Sequence, residues 1–273
     1  MQNVKRPAPF VLLSSNHGSM IINRNDYRMI DKDSGYGVGY QIMTNSCFDQ
    51  EEVDLVLAIL KLRRKYFGDG VVGIDCGANI GVHTIEWARL MHNWGHVFSF
   101  EAQEKVFYAM AGNVALNNCL NVTARCNAVG ASVGEIKIPE PDYLIPSSFG
   151  SFELKKTSTT EFIGQSIDYN KANKVVSQIT LDSLNLSRID LIKVDVEGME
   201  EDVFQGASNS ITECKPILLA EVIKSNKSKL VKYAEDKGYK VFQIGINMLA
   251  VHSEDPVLNH IKLDGTSLSV QLS

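Results

Sequence analysis

The sequence predicts an α/β fold built on a mostly parallel sheet, and three observations predict it. First, the apolar run Val71–Ile74 ends in Asp75 and passes through the small-residue loop Cys76-Gly77-Ala78-Asn79-Ile80-Gly81 into a segment of helical spacing. There Val82, Ile85, Ala88 and Met91 fall on one face, which packs back on a sheet. Second, the strand-then-helix rhythm recurs along the chain with short links, which means parallel pairing and right-handed crossovers. Third, Lys240–Val251 divides into two strands near Gly245-Ile246-Asn247, joined tightly enough to be antiparallel.

Taken in order, residues 1 to about 25 are weakly patterned and predict an irregular extension. The glycine-rich segment Asp31–Gly39 reads as a surface loop or a flap whose Tyr36 closes over a pocket. A helix opens near Phe48, with Asp49 as N-cap and Glu52 as its capping-box partner. Val53, Val56, Leu57 and Leu60 supply its apolar stripe, and Lys61, Arg63, Arg64 and Lys65 suit its negative C-terminal end. Beyond the glycine loop, a second strand His96–Phe100 ends at Glu101, a helix spans about Gln103–Asn117, and a third strand covers Ala124–Val129. The rhythm then breaks between Ala131 and Gln178, where three prolines and the short alternating runs 135–138 and 151–154 suggest a β-hairpin insertion. It resumes with the strand Asp190–Val196, a helix over about 200–210, the buried strand Pro216–Val222 and a helix Ser228–Lys237 stopped by Gly238. The implied division is an N-terminal extension (1–69), a core domain (70–253, with 131–178 inserted) and a C-terminal tail (254–273).

Composition narrows the function. At 273 residues, 44% of them hydrophobic and 22% charged, the chain is an ordinary globular protein. A net charge of −5 argues against nucleic acid as a partner, since phosphates want a basic surface. No apolar run approaches a membrane span, and Pro9–Leu13 lacks the form of a signal peptide. Five cysteines without a C-x-x-C pair point to reduced thiols and a cytoplasmic setting. Oligomeric state is left open.

The chemistry gathers at strand ends. Asp75, Glu101 and Asp195 each terminate a predicted strand, and Glu221 lies near the end of a fourth. Ligands of open parallel sheets bind outside those carboxyl ends. Glu101 follows the glycine loop by one βα unit, where a carboxylate accepts hydrogen bonds from an adenosine ribose. A nicotinamide dinucleotide is disfavoured, because the G-x-G-x-x-G positions hold Gly77, Asn79 and Val82, and an acid at 75 would repel a diphosphate. An ammonium suits that acid instead. S-adenosylmethionine carries an ammonium, a carboxylate and a ribose diol but no phosphate. The alternatives carried are an NAD(P)-dependent oxidoreductase and a non-catalytic adenosine-binding module.

The segments Ile74-Asp75-Cys76-Gly77-Ala78-Asn79-Ile80-Gly81, Phe100-Glu101-Ala102, Asn127-Ala128-Val129-Gly130 and Ile192-Lys193-Val194-Asp195-Val196-Glu197-Gly198-Met199-Glu200 resemble the FkbM family of S-adenosylmethionine-dependent methyltransferases, over about residues 70–250. The resemblance implies a Rossmann-like class I methyltransferase fold: a seven-stranded, mostly parallel sheet with an antiparallel final hairpin. It implies O-methylation of a sugar, glycan or natural-product hydroxyl. By this resemblance Asp75, Gly77, Asn79 and Gly81 line the methionine end of S-adenosylmethionine. Glu101, with Ala102 beside it, holds the ribose, and Asn127 and Ala128 border the adenine. Ala102-Gln103 departs from the family, where many members carry proline.

Asp195 and Glu197 are the candidate catalytic residues, orienting or deprotonating the acceptor hydroxyl. A carboxylate needs a raised pKa for that task, and a second acid nearby provides it. No metal is expected, although Asp195, Glu197 and Glu221 offer the oxygen ligands a divalent cation would use. Glu197 and Glu200 also suit a helix start, and His83 is the rival base. The small-molecule or glycan acceptor is expected to meet Tyr36 on one side and Phe149 of the insertion on the other.

Overall fold

A computed structural model describes residues 6–264 and 267–272. The chain opens with a hairpin, β1 (Phe10–Ser15) and β2 (Gly18–Asn23), then a short pair, β3 (Arg28–Met29) and β4 (Gly35–Tyr36). Helices α1 (Val38–Asn45) and α2 (Gln50–Phe67) lead into β5 (Val71–Cys76), α3 (Val82–Leu90), β6 (Gly95–Phe100), α4 (Glu104–Leu116) and β7 (Val122–Arg125). A small sheet follows, made of β8 (Ala128–Val129), β9 (Gly134–Ile138) and β10 (Lys174–Ile179). The main rhythm returns with β11 (Leu191–Val194), α5 (Glu200–Gly206), α6 (Ser208–Cys214), β12 (Ile217–Glu221), α7 (Lys227–Asp236), β13 (Tyr239–Ile244) and β14 (Asn247–His252). The hairpin β15 (Ile261–Asp264) and β16 (Ser267–Val270) ends the chain.

The seven-stranded sheet runs β13-β14-β12-β11-β5-β6-β7. The pairs from β12 through β7 are parallel, and β14 runs antiparallel to both β12 and β13. All four residues of β11 are buried, as expected where helices cover both faces. Alternation divides its neighbours. Leu191 packs with Val56, Ile59 and Ile85 on the α2–α3 face, whereas Ile192 and Val194 pack with Val203, Phe204 and Leu230 on the α5–α7 face. Lys193 and Asp75 stand in register on β11 and β5, on the α2–α3 side.

Four expectations are corrected. The expected third strand over 124–129 is two strands: β7 stays in the main sheet, while β8 leaves it to pair with β10. In the insertion, 134–138 is a strand, but 151–154 is not; its backbone turns through hydrogen bonds from Ser151 N to Ser148 O and Phe152 N to Phe149 O. The expected irregular extension is, over residues 10–23, a regular β-hairpin. Asn117 and Asn113, one helical turn apart on α4, each accept from and donate to the backbone of β2 at Ser19 and Ile21. The i,i+4 spacing of a helix nearly matches the i,i+2 spacing of a strand, so the two amides pair with the edge strand as another strand would. Finally, Asp49 stands at the N-cap position of α2, but the expected capping box does not form. Its φ is 40° and its side chain makes no cap hydrogen bond, and Glu52 turns instead toward Asn247 and His83.

Candidate active site

At the carboxyl ends of the parallel strands lies a cavity of about 430 Å³. Its floor is the loop after β5. Gly77 has φ 79°, and a Cβ there would come within 1.7 Å of the Asp195 carbonyl oxygen. The close approach that requires a glycine is therefore between the loop and the end of β11, sealed by a hydrogen bond from Asp195 N to Cys76 O at 3.0 Å. Asn79 also takes a left-handed conformation, and its amide oxygen accepts from Ile80 N at 2.7 Å. The loop is thereby curled so that Asn79 N–H points at Glu101.

Glu101 is buried at the end of β6. Its two oxygens accept from Asn79 N at 3.0 Å and Gln103 N at 2.8 Å. Burial pushes its carboxyl up to about 7 against those two hydrogen bonds. A carboxylate has about four acceptor positions, so two are left for donors from the cavity. Asp75 is also buried. Its Oδ2 accepts from Thr84 Oγ1 at 2.7 Å, and its Oδ1 has no partner. A buried, unpaired carboxylate oxygen is costly unless a donor arrives from elsewhere. Asp75, Gly77, Asn79, Glu101, Ala102, Asn127 and Ala128 all line the cavity. Gly81 does not. It starts α3 at φ 89° and faces Met110, so its glycine serves the loop-to-helix turn.

The opposite wall holds the acids of β11 and β12. Asp195 accepts from Lys193 Nζ at 3.0 Å, two residues back on the same side of the strand. Burial opposes the charge on Lys193, but Asp195, Glu52 and Asp75 hold its pKa above the ordinary range. Glu197 sits at φ 55° with Lys224 Nζ 2.6 Å from its Oε2. Burial and then the neighbouring Asp195 push its carboxyl well up, against the pull of Lys224. The same two causes raise Glu221 to about 8. Asp195, Glu197 and Glu221 can bring one oxygen each within 4.8 Å of one another, close enough for a cation. Lys193 and Lys224 already pair with two of the three. Glu200 is elsewhere occupied: it accepts from Val196 N and Gly198 N and from Ser225 Oγ, which fastens the loop carrying Glu197.

The roof brings together the N-terminal region, the insertion and the segment after β12. Glu161 of the insertion accepts from Tyr36 Oη and from Arg28 Nη1 at 3.0 Å, and pairs with Lys224 at 3.1 Å. Tyr36 lines the cavity. Phe149 does not. Its ring is buried against Tyr143, with centroids 4.8 Å apart, its N–H donates to Asp26, and its carbonyl accepts from Gln103 Nε2. It is a core residue of the insertion. Its neighbours Ser148, Gly150, Ser151 and Phe152 reach the wall in its place. His83 also lines the cavity, with Nε2 3.1 Å from Glu52 Oε1.

Sequence reasoning missed Lys193, Gln103, Glu161 and Lys224. A signal existed for Lys193, since strand alternation places it beside Asp195. None existed for Glu161, which meets Arg28 and Tyr36 only through folding.

A family model described as Methyltransferase FkbM domain matches residues 75–241. The chain is 24% identical over 241 residues to "Methyltransferase sdnD" of Sordaria araneosa, covering 80% of this chain and 87% of that protein. It is 25% identical over 190 residues to "Methyltransferase 1" of Beauveria bassiana, covering 64% and 74%. Among solved structures, the methyltransferase FkbM from Methylobacillus flagellatus overlaps 70% of this chain and 48% of its own, about half its length, at 15% identity and TM-score 0.47.

Proposed function

The chain belongs to the FkbM methyltransferase family, and from that premise we propose that it is an S-adenosylmethionine-dependent O-methyltransferase. The observation that carries this reading is the convergence of Asp75, Glu101 and Asp195, from the ends of β5, β6 and β11, on one cavity. The residues fit the cofactor. The unpartnered Oδ1 of Asp75 suits its ammonium, and the free acceptor positions of Glu101 suit a ribose diol. Asn79 shapes the loop between them, and Asn127 and Ala128 flank the adenine side. The cofactor, when bound, supplies a methyl group on a sulfonium, which leaves to the acceptor oxygen as the sulfonium becomes a neutral thioether.

The protein's part is alignment and proton removal. Asp195 is the group that receives the hydroxyl proton. Its side chain is 34% exposed, whereas that of Glu197 is 13% exposed and held by Lys224. Glu197 stands beside it as the second acid, its own carboxyl pushed up by burial and then by the neighbouring Asp195. Lys193 and Lys224 supply the positive charge that a divalent ion would otherwise bring, so turnover is expected to resist a chelator. Tyr36 and the 131–178 insertion form the acceptor side of a core domain spanning about 70–253. Titration with S-adenosylhomocysteine and transfer of a labelled methyl test the reading: no binding removes the cofactor assignment, and binding without turnover on any hydroxyl leaves a sensor.

A further inference from the structure

Resting on that methyltransferase reading, we infer that the acceptor is an uncharged hydroxyl compound with an apolar body, rather than a phosphorylated or free sugar. Two independent features of the cavity select it. The first is charge. Seven carboxylates line the cavity against two ammonium groups, Lys193 and Lys224, and no arginine among the described residues. Neither ammonium is free. Lys193 is bonded to Asp195, and Lys224 contacts Glu197, Glu161 and the Ser151 carbonyl at 2.8 Å. An acceptor phosphate or carboxylate would find no spare cation to receive it and would meet the ionised Glu161, so its desolvation in this half-buried site goes uncompensated.

The second feature is the mouth. Ile223, just past β12, and Ile246, in the turn between β13 and β14, both line the cavity and are 58% and 51% exposed. Val222 N donates to Ile246 O at 3.0 Å, and Glu221 pairs with Asn247, so the two isoleucines flank the strand ends that present Glu221. Apolar side chains continuous with a polar floor are the arrangement that seats an amphipathic ligand with its hydroxyl inward.

Three probes test this by titration into the complex with S-adenosylhomocysteine: octyl glucoside below its micelle concentration, glucose and octyl phosphate. The expected result is that octyl glucoside binds at least about tenfold more tightly than either of the others. Ile223→Asn and Ile246→Asn should each weaken octyl glucoside about tenfold while leaving S-adenosylhomocysteine affinity unchanged. Both side chains are half in solvent, so neither change threatens the fold. The inference is overturned if octyl phosphate binds as well as the glucoside, if glucose matches it, if no probe binds, or if the isoleucine variants have no effect. Failure of S-adenosylhomocysteine itself to bind would instead remove the cofactor reading.

Discussion

The two ends of the parallel sheet treat a buried aspartate in opposite ways. Asp190 precedes β11 at the amino end and is fully buried, as Asp75 is at the carboxyl end of β5. Asp190 accepts from Arg63 Nε at 3.0 Å, Arg188 Nε at 2.8 Å, Arg188 Nη2 at 3.1 Å and Val72 N at 2.9 Å. Arg63 in turn reaches Asp255 and lies 4.0 Å over the Phe67 ring. Every oxygen is met by a donor, and every acid by a guanidinium. At the other end Asp75 has an unpartnered oxygen, and burial raises Glu101 and Glu221. One end holds the fold together. The other leaves acids underpaired, at a cost in stability, which is where the proposed cofactor and acceptor would bond.

The widest separation of the two ends should come from Asp195→Asn. It keeps size and removes charge, and turnover should fall by about 10²–10⁴, the range for a general acid–base group. S-adenosylhomocysteine affinity should hardly change, and Glu197→Gln should lose less. Full activity in Asp195→Asn would end the assignment of catalysis to the β11 acids and turn attention to His83.

Arg63→Ala tests the amino end. Removing Arg63 leaves the buried Asp255 without its guanidinium, while Asp190 keeps Arg188, and urea unfolding should show a loss of about 3–5 kcal/mol. Cofactor affinity, measured on the folded fraction, should not move. A parallel drop in affinity would mean that the two ends are coupled.

Glu101→Ala should weaken S-adenosylhomocysteine binding by about 1.5–3 kcal/mol, the scale of hydrogen bonds to a charged group. The wild type should also show a pH signature. The Glu101 carboxyl lies at about 7 in the fold against an ordinary 4.5, so the folded state binds the proton more tightly. Its destabilising contribution is absent below about 4.5, grows as pH rises and is complete above about 7. A ligand diol bonds best to the ionised form, so affinity should fall as pH drops below about 7, by no more in total than Glu101→Ala costs. A flat profile between pH 5.5 and 8 would mean that the ribose does not use this carboxylate.

The smallest effect carries the sharpest contrast. Asp75→Asn should leave stability unchanged or raise it by up to about 1 kcal/mol, since it removes a buried charge with an unpaired oxygen. It should nonetheless weaken the cofactor. A stability loss comparable with that of Arg63→Ala would show that Asp75 is as structural as Asp190.

Much of this was legible in the sequence because it is local. Apolar runs of β-branched residues, helical spacing and turn glycines fix the strands β5, β6, β11 and β12 and the helices between them. The acids at their ends follow by position alone, so the sequence itself places Asp75, Glu101, Asp195 and Glu221 on one edge. Gly245-Ile246-Asn247 dictated the reversed final hairpin. What the sequence could not decide depends on partners distant in the chain. Residues 124–129 carry one continuous pattern, yet β10, some fifty residues on, captures Ala128 and Val129 and divides the strand. Phe149 reads equally as a rim or a core aromatic until Tyr143 and Asp26 bury it. Glu161 becomes part of the site only because Arg28, Tyr36 and Lys224 meet there. Strand and helix identity is set by neighbours a few residues apart, and so it is written in the sequence. Whether a buried acid is neutralised or left underpaired is set by which distant side chain packs against it, and only the tertiary structure supplies that.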